Sequence, residues 1–288
     1  MRLRKVPLSN GGFLAAAVPL MLIQILLFMV PLGLTFALSF QQTKSFNTVW
    51  VWNLATWQEV FSKFYIWKVF AHTILMSSIT VGICLIIAFP VAYALNTRAK
   101  AYLNHVQVLI IFAFLTDAIL KTFGWVLFLD KGGALNWLLS QIGLPPAQDF
   151  LFTDWATIVG MVYNLLPFMI FTLYLSLDNI DRDLLNAATD SGATKLRAFW
   201  EVTFPLCRPG IWAGSVLVFL YGVGSFLEPK VLGGGKSPMA AELIRQTFET
   251  RINWPLGAAF TLVLMFACII MVLLFTKLYP ATIAGSNR

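Results

Sequence analysis

The sequence has little charge for its length. Only 11% of its 288 residues are Asp, Glu, Lys or Arg, whereas 59% are hydrophobic and the mean hydropathy is +0.78. A soluble domain cannot bury that much apolar surface, so the composition excludes an ordinary soluble protein and favours a chain that lies in a bilayer. The formal net charge is +7, but the basic residues are scattered among loops rather than clustered in one patch. This pattern argues against nucleic acid as a partner.

Histidine and cysteine are also scarce. The two histidines, His72 and His105, have no metal-like partner at hand, and no nucleophile stands beside a base at a motif spacing. The three cysteines lie in or beside apolar segments, without metal-ligand spacing and without an obvious pairing. The sequence therefore predicts a chain that is not an enzyme and has no metal or other cofactor of its own.

Long apolar runs dominate what is present. Several approach the ~20 residues that a helix needs to cross a bilayer. They lie at about residues 13–40, 68–95, 105–129, 154–177, 209–227 and 256–278. The sequence shows no soluble domain, internal repeat or low-complexity tract. It therefore predicts an all-α, multi-pass membrane protein in contact with lipid, with six transmembrane helices in one permease domain over residues 1–288.

The basic residues near the start of the chain indicate its orientation. Arg2, Arg4 and Lys5 precede the first apolar run, and early basic residues usually weigh most in the positive-inside rule. That run is longer than the ~7–15 apolar residues of a signal peptide, which favours a retained first helix. Both termini are then predicted to be cytoplasmic, and residues 228–255 form a long outer connection.

Residues 178–208 are predicted to form a cytoplasmic loop between the fourth and fifth spans. Acidic and basic side chains alternate along it, so the segment can be helical without strong self-repulsion. Gly192 weakens the helix where a bend costs least, and Pro205 and Pro209 are expected to stop any continuation toward the membrane. We expect two short helices joined by a turn, lying across the end of a helix bundle.

This loop resembles the EAA loop of bacterial ABC-importer permeases. The likeness is carried by Asn186, Ala187, Ala188, Gly192, Ala193, Phe199, Val202, Pro205, Pro209, Gly210 and Ile211. Asn186 stands where the family has glutamate and Phe204 where it has leucine, so one charge that could pair with an ATPase is missing. The resemblance implies the type I ABC importer permease fold and a coupling helix that sits in a cleft of a cytoplasmic ATPase. The residues implied in this coupling are Asn186, Ala187, Ala188, Gly192, Ala193, Lys195, Arg197 and Pro205.

Beyond the loop, nearly the whole chain is similar to spermidine/putrescine-type permeases, at residues 116–121, 165–168, 231–234 and 253–259. This similarity implies a bacterial cytoplasmic (inner) membrane protein whose solute is a polyamine or a related small amine or opine-type compound. It also implies a cytoplasmic ABC ATPase dimer that binds the ATP and Mg²⁺, and a second, homologous permease subunit. A periplasmic or extracellular solute-binding protein would deliver the solute.

Polar side chains inside the predicted spans are candidates for a solute pathway. A lone ionised side chain at bilayer depth costs ~2.5–3.5 kcal/mol, so such residues usually face protein or water. Asp117 and Lys121 are predicted on one face of the third helix. They either form an internal ion pair that only fixes helix packing, or line the pathway. Asp117 attracts a cation only if Lys121 is diverted elsewhere. The full set of predicted pathway residues is Asp117, Lys121, Tyr163, Asn164, Tyr221 and Glu228.

Two other classes of function fit parts of the sequence. A secondary transporter driven by an ion gradient would be expected to have paired broken helices and intramembrane coupling carboxylates. Asp117 is a single candidate for such a carboxylate, without an evident mate. A non-transporting membrane scaffold would not need the pattern at residues 186–211. The sequence therefore favours the membrane subunit of an ATP-driven importer.

Overall fold

The computed structural model describes residues 10–44, 47–97, 108, 112–113, 115–145, 150–236 and 238–278. Its contacts divide the chain into two compact units. The first contains residues 1–63 and 247–263, and the second contains residues 64–246 and 264–288.

The first unit begins with a long apolar helix, α1 (Asn10–Ser39). An antiparallel hairpin of β1 (Gln42–Lys44) and β2 (Asn47–Val49) follows, and then α2 (Ala55–Ser62). The buried Thr56 hydroxyl donates to the Gln41 carbonyl at 2.8 Å, which ties α2 to the start of the hairpin. A helix that is apolar on all sides belongs in a protein core or in a membrane. Because the side chains of residues 21–30 are exposed, α1 fits contact with lipid.

The second unit contains most of the remaining helices. They are α3 (Phe64–Thr97), α4 (Ala118–Leu129), α5 (Ala134–Gln141), α6 (Asp154–Asp178), α7 (Arg182–Asp190), α8 (Lys195–Ala198), α9 (Phe204–Val223) and α10 (Leu227–Val231). A π-helical turn, Phe199–Thr203, joins α8 to α9. Two further helices, α11 (Ala240–Glu249) and α12 (Trp254–Leu278), each have residues in both units.

The core of the second unit lies between α3, α6 and α9. Its buried residues are Cys84, Ala88, Ala92, Leu165, Met169, Leu173, Leu177, Cys207 and Val218. Gly210 and Gly214 explain how closely α9 approaches α6. A Cβ at Gly210 would lie 2.2 Å from Ser176 Cβ, and one at Gly214 would lie 2.4 Å from Thr172 Oγ1. Small residues four apart allow this close backbone approach, as they do in many membrane helix pairs.

Five described helices are long and apolar enough to cross a membrane, at Met21–Ser39, Phe64–Thr97, Asp154–Asp178, Leu196–Val223 and Trp254–Lys277. They lie at five of the six predicted spans. The remaining span, 105–129, falls partly outside the described residues. Its described part is interrupted at residues 116–117, and α4 starts only at Ala118. The prediction of one continuous helix there is therefore wrong, and Asp117 is the N-cap of α4 rather than a residue within a helix.

The prediction that prolines end the loop before the fifth span is also wrong. From Lys195 to Val223 the chain is helical without interruption, through α8, the π-helical turn and α9. Pro205 falls in the first turn of α9, after the Phe204 amide has bonded to the Phe199 carbonyl across the wider turn. A π-type adjustment of the turn before a proline re-satisfies the backbone groups that the proline leaves free, so the helix continues through Pro205. Pro209 lies inside α9, and helices of membrane proteins tolerate such prolines.

Candidate solute pathway and coupling segment

An open cavity of about 600 Å³, here called the main cavity, lies in the second unit. Its walls come from residues 113, 115–119 and 121, from α6, and from Tyr221 and residues 224–228. The predicted pathway residues that line it are Asp117, Lys121, Asn164, Tyr221 and Glu228. Tyr163 instead lines a neighbouring side cavity of about 480 Å³, together with Lys121 and Trp125. The structure therefore brings these widely spaced residues to one place.

Glu228 is the centre of a hydrogen-bonded corner that we call the acceptor corner, made of Glu228, Asn164 and Ser225. Glu228 is only 7% exposed. Its Oε1 accepts from Asn164 Nδ2 at 2.7 Å, and its Oε2 accepts from the Ser225 hydroxyl. Gly160 makes room on α6, since a Cβ there would lie 2.3 Å from Leu232 Cδ1 and 3.3 Å from Glu228 Cγ. The carboxylate is thus held in place beside the main cavity.

The acceptor corner has unused accepting capacity. Asn164 Oδ1 is buried and has no hydrogen-bond partner among the described residues. Buried polar atoms are normally hydrogen-bonded, so an unpartnered one beside a cavity needs an explanation. The carboxylate of Glu228 also has more lone pairs than its bonds from Asn164 and Ser225 use. Together these atoms offer acceptors to a positively charged hydrogen-bond donor.

Asp117 and Lys121 have separate partners in the described structure. Asp117 Oδ1 accepts from the Ile119 amide at 2.6 Å and so caps α4. Lys121 Nζ donates to the Ala113 carbonyl at 2.9 Å, which lies before the break at residues 116–117. The interpretation as an ion pair that only fixes helix packing is not supported by these contacts. Lys121 Nζ is therefore hydrogen-bonded to the backbone rather than to the Asp117 carboxylate, although both residues line the main cavity.

Asp117 caps α4 and also lines the main cavity with an acidic group. Exchanging it for asparagine keeps the cap and removes the acidic group. Asparagine caps helices about as well as aspartate, whereas alanine costs about 1 kcal/mol at this position. We expect Asp117→Asn to leave the amount of assembled transporter unchanged and to lower solute uptake several-fold. Asp117→Ala should lower both, measured by co-purification and by the initial uptake rate. Uptake at the wild-type rate in Asp117→Asn would show that the Asp117 charge does not act on the solute.

Aromatic rings form a second part of the cavity wall. Phe168 stacks on Tyr221 with ring centroids 5.1 Å apart, and both residues line the main cavity. In the side cavity, Trp125 meets Tyr163 edge-on with centroids 5.6 Å apart. Aromatic faces attract a cation within about 6 Å of the ring centre. The sequence did not identify Phe168 as a pathway residue, although it directly follows Pro167, a proline inside α6.

The coupling segment, residues 178–208, contains one separate short helix, α7, as the sequence predicts, but the second predicted short helix is the start of the continuous helix from Lys195 to Val223. Asp181 Oδ1 accepts from the Asp183 amide at 3.0 Å and caps α7. Gly192 ends this helix with φ +83° and open space around its α-carbon. Its amide donates to the Thr189 carbonyl at 2.9 Å. A residue with a side chain rarely adopts this φ, so the turn after α7 depends on glycine.

The residues predicted to contact an ATPase are distributed along this segment. Asn186 and Ala187 are exposed on α7, while Ala188 and Ala193 are half-buried. Arg197 is exposed, and its Nε donates to Glu201 Oε1 at 2.9 Å. The backbone of Lys195 starts α8, but its side chain lies outside the described residues. Pro205 is half-buried within the continuous helix rather than in a separate turn.

Aromatic contacts attach the end of the coupling segment to α3. The Phe199 ring meets the rings of Phe89 and Tyr93 edge-on, at centroid distances of 5.6 and 5.4 Å. Phe204 also lies 6.1 Å from Phe89. Such aromatic pairs contribute about 0.5–1.5 kcal/mol each beyond the burial of their surface. The segment is therefore anchored to the bundle at its C-terminal end.

The fold and the cavity define a class of protein, a multi-pass helical permease of the membrane. Five described helices have membrane length, and residues of two of them, α6 and α9, line the main cavity. Residues 102–283 match the family described as "Binding-protein-dependent transport system inner membrane component". The chain belongs to this family. It is therefore a permease of an ABC importer in the bacterial inner membrane, rather than a secondary transporter driven by an ion gradient.

Two curated relatives lie close in sequence. The spermidine/putrescine transport system permease protein PotB of Haemophilus influenzae is 36% identical over 211 residues, which is 73% of each chain. The PotB protein of Escherichia coli strain K12 is 34% identical over 211 residues, or 73% of this chain and 77% of that one.

A solved structure confirms the fold. A chain in the crystal structure of a bacterial alginate ABC transporter, in complex with an alginate pentasaccharide-bound periplasmic protein, superposes with a TM-score of 0.75. It covers 94% of both chains at 17% identity. At that identity the likeness concerns the ABC importer permease fold alone.

Proposed function

We propose that this chain forms the pathway for a polyamine or a related small amine or opine-type solute. The observation that carries the proposal is the acceptor corner, where Glu228 and the unpartnered Asn164 Oδ1 lie beside the main cavity. An ammonium group has three N–H donors and no acceptor, so it fits a carboxylate and an amide oxygen. The relatives named as spermidine/putrescine permeases support the same class of solute.

The carboxylate of Glu228 and the aromatic rings in the cavity wall also favour a cationic solute. A hydrogen bond from an ammonium to a carboxylate is roughly twice as strong as one between neutral groups. The stacked pair of Phe168 and Tyr221 presents aromatic rings to the same space. Because Lys121 Nζ is bonded to the Ala113 carbonyl, it does not occupy the acceptor corner. These features together support the binding of a cationic group near Glu228.

We further propose that the coupling segment docks on a cytoplasmic ABC ATPase. Its exposed helix α7 presents Asn186 and Ala187 to a partner, and small residues there permit close approach. The unbroken helix from Lys195 to Val223 then connects the segment to Tyr221 at the main cavity. A movement that passes from α7 through the turn at Gly192 to Lys195 would then reach the cavity along one continuous helix. In this scheme the ATPase subunits bind ATP and Mg²⁺, and this subunit is not catalytic.

The proposed assembly contains an ABC ATPase dimer, a second homologous permease and a solute-binding protein. The main cavity is open, so a second permease is needed to close a pathway around the solute. The family is described as binding-protein-dependent, which supports delivery by a solute-binding protein. We propose a single permease domain with six spans and both termini in the cytoplasm. Spans one, two, four, five and six then correspond to the described membrane-length helices.

Uptake of labelled putrescine and spermidine tests the proposed solute class. The complete importer, reconstituted in vesicles with its ATPase, second permease and binding protein, should take up at least one of these amines when supplied with ATP. Acidic oligosaccharides should not compete. Competition by an acidic oligosaccharide, with no uptake of either amine, would contradict the proposal.

Labelling with an impermeant maleimide tests the proposed orientation. We expect Lys236→Cys to react from outside intact cells, because Lys236 is exposed on the predicted outer connection. Asp190→Cys, exposed at the end of α7, should react only from the cytoplasmic side. Cys84 and Cys207 are buried, so a Cys268→Ala background suffices for both experiments. Reversal of the two labelling patterns would show that the coupling segment faces outward.

A further inference from the structure

The buried face of α9 does not continue into α8. Cys207 of α9 and Thr203 in the π-helical turn are both buried. At α-helical spacing the same face would next include Trp200 and then Leu196, because residues three or four apart lie on one side of a helix. The structure instead buries Ala198, which is 7% exposed, and leaves Trp200 57% and Leu196 70% exposed. Two large apolar side chains therefore face outward where the spacing would bury them.

The π-helical turn explains this change of face. The Phe204 amide bonds to the Phe199 carbonyl five positions back, one position further than in an α-helix. One added residue turns the preceding helix by about 100° relative to α9. Wide turns of this kind often lie at functional sites. The π-helical turn therefore decides which side chains of the coupling segment are presented outside the bundle.

Trp200 is held in its exposed position by two neighbouring rings. Its ring centroid lies 5.2 Å from that of Phe199 and 5.2 Å from that of Phe204. Phe199 is in turn packed against α3. Phe204, which stands where the family has leucine, is thus one of the two supports of Trp200. A large side chain that is already ordered loses little conformational entropy on binding, and tryptophan is common among the residues that dominate protein interfaces.

The surroundings of Leu196 and Trp200 fit a protein partner. Helix α7, which is proposed to dock, packs against both α8 and the π-helical turn. Arg197 and Glu201 are exposed beside the two apolar side chains and form an ion pair, with Arg197 Nε 2.9 Å from Glu201 Oε1. A charged side chain is costly among lipid tails, and the exposed residues 21–30 of α1 contain none. An apolar centre with a polar edge is instead typical of a protein–protein interface.

We propose that Leu196 and Trp200 anchor the coupling segment in an apolar recess of the cytoplasmic ATPase, and that the π-helical turn presents them to it. This inference rests on the docking proposed above and names the side chains that carry most of its binding energy. Neither residue is among those predicted from the sequence to contact an ATPase. The recess on the ATPase should have polar edges that meet Arg197 and Glu201.

The affinity of the ATPase for the permease measures this contact. The quantity is the apparent Kd of the purified ATPase for the full-length permease and its second permease subunit, assembled in lipid nanodiscs. We expect Trp200→Ala to raise this Kd about 30-fold, which corresponds to about 2 kcal/mol. Leu196→Ala should raise it about fivefold, or about 1 kcal/mol. Trp137→Ala, at an exposed tryptophan of α5 outside the coupling segment, is the matched control and should leave the Kd unchanged.

Two milder variants test the ring of Trp200 and its support. Trp200→Phe keeps an aromatic ring and should raise the Kd by no more than about fivefold. Phe204→Leu should raise it about threefold, since an aromatic pair contributes about 0.5–1.5 kcal/mol. If Trp200 only supported folding, Trp200→Ala would lower the amount of assembled permease and leave the Kd of the assembled fraction unchanged. That result would overturn the inference.

Labelling of Leu196→Cys in a Cys268→Ala background shows what covers the two side chains. A maleimide should react quickly in nanodiscs without the ATPase, and much more slowly once saturating ATPase is bound. Slow reaction with and without the ATPase would show that lipid covers the pair. Equally fast reaction in both states would show that the ATPase does not cover it. Either result would overturn the inference, also where Trp200→Ala fails to assemble.

The failure of this inference can be distinguished from the failure of the docking itself. An unchanged Kd in both Trp200→Ala and Leu196→Ala would overturn the inference and leave docking through α7 intact. A wild-type permease that binds no ATPase would overturn the inference together with the proposed docking.

Discussion

Replacing Glu228 by glutamine is expected to reduce amine uptake roughly 10- to 100-fold, because a hydrogen bond to a charged partner contributes about 1.5–3 kcal/mol. Glutamine has nearly the same shape and can still accept from Asn164 Nδ2, as Glu228 does at 2.7 Å. Its amide lacks the negative charge that an ammonium group would meet. The change therefore tests the charge of the acceptor corner rather than its packing. The measurement is the initial uptake rate of labelled amine per assembled importer.

Asp130→Asn is the matched control for this experiment. Asp130 is an exposed carboxylate just after α4, outside the residues that line the main cavity. Its neutralisation changes the net charge of the chain by the same amount as Glu228→Gln. Uptake should stay at the wild-type rate. If both variants lost uptake equally, the effect would be one of overall charge, and the acceptor corner would have no special role.

Proline at position 192 is expected to uncouple ATP hydrolysis from transport. Gly192 has φ +83°, whereas proline is fixed near −65° and has no N–H for the Thr189 carbonyl that Gly192 contacts at 2.9 Å. The turn after α7 must then rearrange, and Asn186 and Ala187 lose their position relative to α8. We expect uptake to fall at least about tenfold, since strain at such a backbone position costs about 1–3 kcal/mol. The readout is transported solute per ATP hydrolysed.

Two controls separate docking from general instability. Gly143 also has a positive φ of +71° with open space around it, and it follows the short helix α5 outside the coupling segment. Gly143→Pro imposes the same backbone conflict elsewhere and should leave the coupling ratio unchanged. Gly192→Asn places a residue that tolerates this conformation and should restore much of the coupling. Full coupling in Gly192→Pro would show that the turn is not needed for docking.

The membrane character of the chain could be predicted from its sequence because hydropathy needs no knowledge of tertiary contacts. An apolar run of about 20 residues has few stable conformations other than a membrane helix. The structure places membrane-length helices at five of the predicted spans. The bend at Gly192 could also be predicted from the sequence, because glycine is the residue that the end of a helix most often requires.

The local breaks were harder to predict, because each depends on a choice between two acceptable conformations. Asp117 fits a helix interior by periodicity, but the structure uses its carboxylate as a cap for α4. Pro205 is expected to end a helix, but a wide π-helical turn precedes it and leaves it in a first turn. Apolar periodicity is the same in both conformations. Whether the helix breaks or continues at these residues is decided by tertiary packing, which cannot be read from the sequence.

The acceptor corner depends on contacts between residues far apart in the chain. Asn164 and Glu228 are 64 positions apart, and their hydrogen bond follows from the approach of α10 to α6 at Gly160. The sequence identified both residues as polar groups within or beside apolar spans. It could not show that they are partners. Residues 228–255, predicted as an outer connection, also contain the helices α10 and α11, whose short amphipathic runs give little hydropathy signal.

The helix that runs through the π-helical turn has a mechanical consequence. Its 28 residues from Leu196 to Val223 make a rod about 40 Å long at ~1.5 Å per residue. If such a rod tilts by about 10° around one end, the other end sweeps an arc of about 7 Å. That displacement exceeds the width of an ammonium group. Under the proposed docking on an ATPase, a small tilt of this helix would therefore be enough to widen or narrow the passage beside Tyr221.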